Sequence, residues 1–162
     1  LHRRENYGKI LEQICLAIQE IAMLYKEIQI IIPVHPNPNI KRIITDFLKD
    51  IKNISLIHPL DYESFIFLMT KSYLILTDSG GIQEEAVRLN KPVIILRKQT
   101  ERMESIEVGG AVLAGTDRKL IVKIFTDIYK NKIIYLKMSQ AENPYGDGKA
   151  SQYIFDIIDL NL

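Results

Sequence analysis

Cysteine occurs once in the 162 residues, at Cys15, so no internal disulfide can form. Cys15 falls within an apolar stripe of helical spacing, where a small buried thiol is expected rather than a nucleophile. That usage suits a reducing compartment, and a cytoplasmic location is expected. Histidine is scarce, with three scattered residues and no Cys/His cluster, so no metal site is expected. No run approaches the roughly 18 consecutive apolar residues of a membrane span. The opening Leu-His-Arg-Arg-Glu has no apolar segment behind it, as a secretory signal would. The formal net charge is only +1 with 25% charged residues, which gives no reason to expect nucleic acid or a membrane surface as partner. No G-x-G-x-x-G or Walker pattern occurs, and no nucleophile elbow sets up a Ser/His/Asp order. A convincing pair of catalytic carboxylates is also missing. There is no internal repeat, low-complexity tract or Gly/Ser linker.

What is present is a chain with 47% apolar residues, ordinary for a globular fold and long enough for one domain with a real core. Ile10, Leu11, Ile14, Ala17, Ile18, Ile21 and Ala22 recur at three- and four-residue spacing and predict an amphipathic helix over 7–25. Ile28–Val34 is a continuous β-branched run, the mark of a strand buried on both faces. The alternation then repeats. Helices are expected at 38–50, 61–72, 81–89, 117–130 and 151–159, and strands at 54–58, 73–77, 92–96 and 111–114. Strands alternating with helices imply an α/β fold with a parallel sheet and helices on both faces. The chain opens at a helix and without Met, and a right-handed crossover into the 28–34 strand needs a strand before that helix. The domain is therefore expected to lack its first strand or to take it from upstream residues.

In open parallel sheets ligands bind at the carboxyl ends of the strands, which selects particular loops. Thr77-Asp78-Ser79-Gly80-Gly81 runs from a strand into a helix. Two glycines there let backbone N–H groups approach an anion, the helix N-terminus adds partial positive charge, and Ser79 can donate a further hydrogen bond. Glu85, about one turn into the helix, can accept from the two vicinal hydroxyls of a ribose. Asp-Ser before a helix is also a common N-cap, and alone it would be read so. With Glu85 at that spacing after a buried strand, phosphate binding is the favoured reading. His2-Arg3-Arg4-Glu5 precedes the first helix and reads either as a phosphate contact or as a solvated terminus; by itself it would be taken for the latter. Pro33-Val34-His35-Pro36-Asn37-Pro38 closes a buried strand, equally a rigid turn or a ligand loop. In Thr100-Glu101-Arg102-Met103-Glu104, Arg102 can contact substrate with Glu101 or Glu104 holding it, or the run is solvated charge. The backbone near Leu60, together with Phe65, can flank a flat base, although Phe65 and Phe67 also fit helix core, and Phe67 is taken as such.

In order along the chain, His2-Arg3-Arg4-Glu5, Pro33 to Pro38, Asp78-Ser79-Gly80-Gly81-Ile82-Gln83-Glu84-Glu85, Thr100-Glu101-Arg102 and Asn143-Pro144-Tyr145-Gly146-Asp147-Gly148 together resemble the non-hydrolysing UDP-N-acetylglucosamine 2-epimerases. The resemblance covers essentially the whole chain; one departure is Met103, where the family usually has Pro. It implies the C-terminal half of a GT-B-type two-domain fold, with residues 1–162 forming a Rossmann-like UDP-binding domain and 151–162 its C-terminal helix. It implies that His2, Phe65, Ser79, Gly80, Gly81, Glu85 and Arg102 contact substrate and that the backbone near Leu60 meets uracil. By the same resemblance His2 steadies departing UDP, and Arg3 and His35 match positions of an activating second UDP-N-acetylglucosamine. No cofactor is implied. The acid/base carboxylates are expected on a missing N-terminal domain, and the complete protein is expected to be a homodimer. Two alternatives remain, a nucleotide-sugar-binding fragment without catalysis and a GT-B UDP-sugar glycosyltransferase domain.

Overall fold

The computed structural model describes Leu1 and residues 3–159, with Arg4 described by its backbone alone. A 3-10 turn at Arg4–Asn6 leads into α1 (Lys9–Leu24). Gly8 precedes α1 at φ 69, a left-handed conformation that glycine enters without steric cost. There follow β1 (Ile30–Pro33), α2 (Pro38–Leu48), β2 (Ile54–Ile57), α3 (Tyr62–Lys71), β3 (Ile75–Thr77) and α4 (Gly80–Arg88). The chain continues through β4 (Val93–Ile95), α5 (Glu104–Glu107), β5 (Ala111–Leu113), α6 (Arg118–Lys130), α7 (Lys132–Ser139) and α8 (Ala150–Asp159). Caps explain several starts. Asn37, Asp61 and Asp117 each accept a backbone N–H from the first turn of the helix they precede.

All strand pairing is parallel, but it falls into two pieces, β1-β2 and β3-β4-β5. Alternation along the strands sorts side chains onto two faces. Ile94 of β4, Leu76 of β3, Val112 of β5 and Ile32 of β1 join the core beneath α1, α2 and α6. Val93 and Ile95 face the other way, with Ile75 and Leu113, and are covered by Ala86 and Val87 of α4 and Ile106 of α5. One face is thus continuous across both pieces, whereas the second cluster holds residues of β3, β4 and β5 only. The expectation of a first strand buried on both faces therefore holds on one face alone. Ile32 is buried but Ile31 is 41% exposed, because neither α4 nor α5 extends over β1.

The outer edges of the two pieces show where pairing stops. Ile30 and Val34 donate their N–H groups to β2 residues and their flank at 2.9 Å, so alternation turns the Ile31 N–H to the opposite side. Ile75 donates to Pro92 at 3.0 Å and Thr77 accepts from Leu96 at 2.8 Å, which turns the Leu76 amide away from β4. Among the described residues neither outer edge has a strand partner.

Two elements differ from the sequence expectation. Four residues of the polar loop after β4 form α5. Between α6 and α8, α7 forms because Asn131 ends one helix and caps the next, accepting from Ile133 and Ile134. Tyr135 of α7 then stacks on Tyr73 with ring centroids 4.0 Å apart, and Met138 is buried. α8 matches its expected position over the described residues but buries no side chain, and Tyr153, Ile154, Phe155, Ile157 and Ile158 are all exposed. Among the described residues no helix is long and apolar enough to cross a membrane.

Cys15 lies fully buried on α1, and burial pushes its thiol up to about 12. At mildly alkaline pH it is therefore expected to be silent to a disulfide reagent in the native chain and to react only on unfolding. Thiol titration against urea concentration checks this, and rapid labelling without denaturant would contradict the packing of α1.

Candidate ligand site at the strand ends

The loop Thr77–Gly81 is built around a buried acid. Asp78 has no exposed surface, and its Oδ2 accepts the Arg3 N–H at 3.0 Å and the Asn6 amide at 3.2 Å. The Leu1 amine lies 3.7 Å from Oδ1. Asn6 donates as well to the Leu96 carbonyl at 3.1 Å, and the Arg3 Nε to the Asp78 carbonyl at 3.3 Å. Tyr7 beside it accepts from Asn37 at 3.5 Å. The opening segment therefore ties together the carboxyl ends of β1, β3 and β4. Because β2 is parallel to β1, Leu60 and Phe65, which follow it, belong to the same edge.

Ser79 takes the N-cap position of α4 with extended backbone, but its hydroxyl makes no cap hydrogen bond. The plain N-cap reading thus fails for Ser79, and the first-turn N–H groups keep no cap from it. Gly80 is buried at the helix start. A Cβ there would stand 3.1 Å from Glu101 Oε1, 3.5 Å from Arg3 Nη2 and 3.9 Å from the Arg102 guanidinium carbon. Gly81 is exposed, with no atom within 4 Å of where its Cβ would be. Two guanidinium groups thus converge with the Glu101 carboxylate beside Gly80, while the uncapped helix start is open at Gly81, and an anion there would compete with Glu101 for the two arginines. Glu85, one turn further on, is half-buried, and among the described residues its carboxylate makes no hydrogen bond or ion pair.

Arg102 was expected to be held by Glu101 or Glu104. Glu101 does form an ion pair with its Nη1 at 3.9 Å, but the closer partner is Glu84 of α4, which meets its Nε. Glu101 serves Arg97 at 2.7 Å and Arg3 at 3.3 Å. Arg97, 6% exposed, is flanked on its other side by Glu5 at 2.8 Å. Burial works against its charge, and the two carboxylates outweigh that cost and hold it protonated. His35 is exposed at the end of β1, and its Nδ1 accepts the Asn37 N–H at 3.2 Å. His2 lies outside the described residues. Leu60 is 38% exposed and Phe65 half-buried at the edge of the site. A surface concavity around Lys130 and Ile133, between α6 and α7, touches none of these residues. The strand-end site itself is an open shelf rather than an enclosed pocket.

Sequence reasoning passed over Asn6, Arg97 and the structural part of Asp78. Apart from the pair of Arg97 with Glu101 four residues on, their partners lie 72 to 92 positions away along the chain, where no local pattern signals them.

An arginine-flanked helix start at the carboxyl edge of a parallel sheet, without a side-chain cap, marks an α/β domain with a place suited to an anion. The model of the UDP-N-acetylglucosamine 2-epimerase family matches residues 1–159. The chain belongs to that family and corresponds to the C-terminal half of its GT-B-type fold. It is 46% identical over 160 residues to the UDP-N-acetylglucosamine 2-epimerase of Escherichia coli strain K12, covering 99% of this chain and 43% of that protein. The Neisseria meningitidis UDP-GlcNAc 2-epimerase, solved bound to UDP-GlcNAc, superposes with TM-score 0.94 at 44% identity, over 98% of this chain and 43% of that one. The Methanocaldococcus jannaschii enzyme, solved in complex with UDP-GlcNAc and UDP, gives TM-score 0.82 at 37% identity, again over 98% and 43%. The chain thus spans less than half the length of the relatives it matches.

The Glu101 carboxyl is held below the ordinary glutamate range by its own backbone N–H first and by the Arg97 guanidinium next. A lowered folded value stabilises the fold above the ordinary range and is lost as pH falls toward the lowered one. In Glu101→Gln the urea midpoint should accordingly decline less steeply with acidification than in the parent. Parallel declines would mean that the Glu101 carboxyl is not held below its ordinary range in solution.

Proposed function

We propose that this chain is the UDP-gripping half of a UDP-N-acetylglucosamine 2-epimerase. The observation that carries the reading is the start of α4, where Ser79 leaves the helix uncapped and Arg3 and Arg102 flank Gly80. The diphosphate sits against Ser79, Gly80 and Gly81, and Arg102 adds positive charge. Glu85 receives the ribose hydroxyls, and the backbone near Leu60 with Phe65 borders the uracil. His2 steadies the departing diphosphate. In the reaction, the C2 proton and the C1-bonded UDP leave to give a glycal. A proton then returns to the opposite face of C2 and UDP re-adds at C1, yielding UDP-N-acetylmannosamine. The sugar C2 proton is weakly acidic, so departure of UDP depends on groups that stabilise diphosphate charge, and this half supplies them.

The carboxylates that move the proton are assigned to a second, N-terminal domain facing this shelf, as the 43% coverage of the relatives supports. The outer edges of β1 and β3 contribute to one core under α1 and each lacks a strand partner among the described residues, which supports a further parallel strand between them. Arg3 and His35 are assigned to an activating second nucleotide-sugar, and the complete protein to a homodimer. A cytoplasmic location fits the lone reduced Cys15, and the product would supply surface-polysaccharide synthesis.

Calorimetric titration of UDP into the 162-residue chain, run beside an epimerase assay, tests the assignment. UDP should bind without turnover, and Glu85→Ala should weaken binding about tenfold, the equivalent of about 1.4 kcal/mol. Joining the N-terminal half of the Neisseria meningitidis relative should restore epimerisation. A folded chain that ignores UDP would overturn the reading. The same joined protein tests the added strand, because amide exchange at Ile31 and Leu76 should slow markedly once their N–H groups are paired. Unchanged exchange at both would count against a strand in that gap.

A further inference from the structure

Gln83 lies on α4 with no exposed surface. Its Oε1 accepts the Thr100 hydroxyl at 2.9 Å. The same Thr100 oxygen accepts the Arg102 backbone N–H at 3.1 Å. The Arg102 carbonyl accepts from Ser105 at 3.0 Å, and its guanidinium pairs with Glu84, the residue next to Gln83. Arg102 is thus fixed by its N–H, its carbonyl and its side chain, and two of these three ties run back to α4. The other end of Gln83 is unusual, because Nε2 is buried and finds no partner among the described residues. An apolar side chain of the same length would avoid that penalty, so packing gives no reason for an amide here. Its distinctive act is to hold the Thr100 hydroxyl.

We propose that Gln83 is a positioning residue for diphosphate recognition. Through the Thr100 hydroxyl it locks the turn that sets the Arg102 guanidinium beside the start of α4. This rests on the reading of Ser79 to Gly81 as the diphosphate site. Without the clamp, Arg102 keeps its charge and its ties to Thr100 and Ser105, but the turn loses its anchor on Gln83, so anion binding carries the cost of ordering the turn at each encounter. The nucleoside end of the ligand meets other residues and is indifferent to the clamp.

The test compares UDP and uridine binding by calorimetry in the full chain and in Gln83→Met, Thr100→Val, their double variant and Thr100→Ser. Near-UV circular dichroism and the urea midpoint establish folding, and Thr100→Val keeps the test available if Gln83→Met does not fold. Loss of one hydrogen bond corresponds to about 3- to 10-fold in affinity. Gln83→Met should lose about that much for UDP and nothing for uridine, and Thr100→Val, which also removes the acceptor of the Arg102 N–H, at least as much for UDP and nothing for uridine. The double variant should be no weaker than Thr100→Val alone, because the Gln83 contact passes through the hydroxyl that this variant already removes. Thr100→Ser, which keeps the hydroxyl, should recover most of the loss. UDP affinity equal to the parent in folded Gln83→Met and Thr100→Val overturns the proposal and leaves the site reading standing. Equal losses for UDP and uridine overturn it too, since they mark general damage to α4. If the parent chain binds no UDP, the site reading fails and the proposal falls with it.

Discussion

The arrangement at the strand ends depends on one buried carboxylate. Asp78 lies at the end of β3 with no exposed surface and holds the opening segment through Arg3 and Asn6. A buried acid is costly unless its oxygens are hydrogen-bonded, and here a backbone amide and a side-chain amide provide those bonds. The gain is geometric. Asn6 also meets Leu96, and Tyr7 meets Asn37, so the ends of β1, β3 and β4 are indexed to the same few residues. The turn that carries Arg3 is thereby placed over Gly80. The site is fixed from inside the protein, by a carboxylate that need not touch ligand.

Much of the fold was legible because its elements obey local rules. The period of 3.6 in α1 and α6, the β-branched run of β1, and the aspartate and asparagine caps each depend on residues a few positions apart. The candidate site was legible to the same extent. Ser79, Gly80, Gly81 and Glu85 form one continuous stretch, and the structure sets them on one helix start. What remained hidden involves contacts across the chain. Arg102 pairs most closely with Glu84 and only at longer range with Glu101, because α4 and the Thr100 turn are neighbours only in three dimensions. The exposure of Ile31 was hidden for the same reason, since a β-branched run does not say whether a helix will cover its second face. α7 was missed because its start signal, Asn131, doubles as the end of the preceding helix.

The ion pairs around the site differ in weight. Arg97 is nearly enclosed and has a carboxylate on either side, so losing either partner would leave a poorly solvated charge. Arg102 and Glu84 are both about a third exposed, and solvent screens their attraction. The Arg97 pairs therefore serve as framework, whereas the Arg102 pair is weak enough to rearrange around an anion. This division separates what must stay fixed from what must respond, within a few residues of one loop.

The split sheet has a consequence for how the chain behaves with others of its kind. The outer edges of β1 and β3 are unlike surfaces, both running in the parallel sense. Any pairing of one copy's β1 with another's β3 would be head-to-tail, with no two-fold axis to complete it. Such a contact would leave one edge open at each end and could not close at a dimer, whereas the strand proposed between β1 and β3 would remove both edges at once.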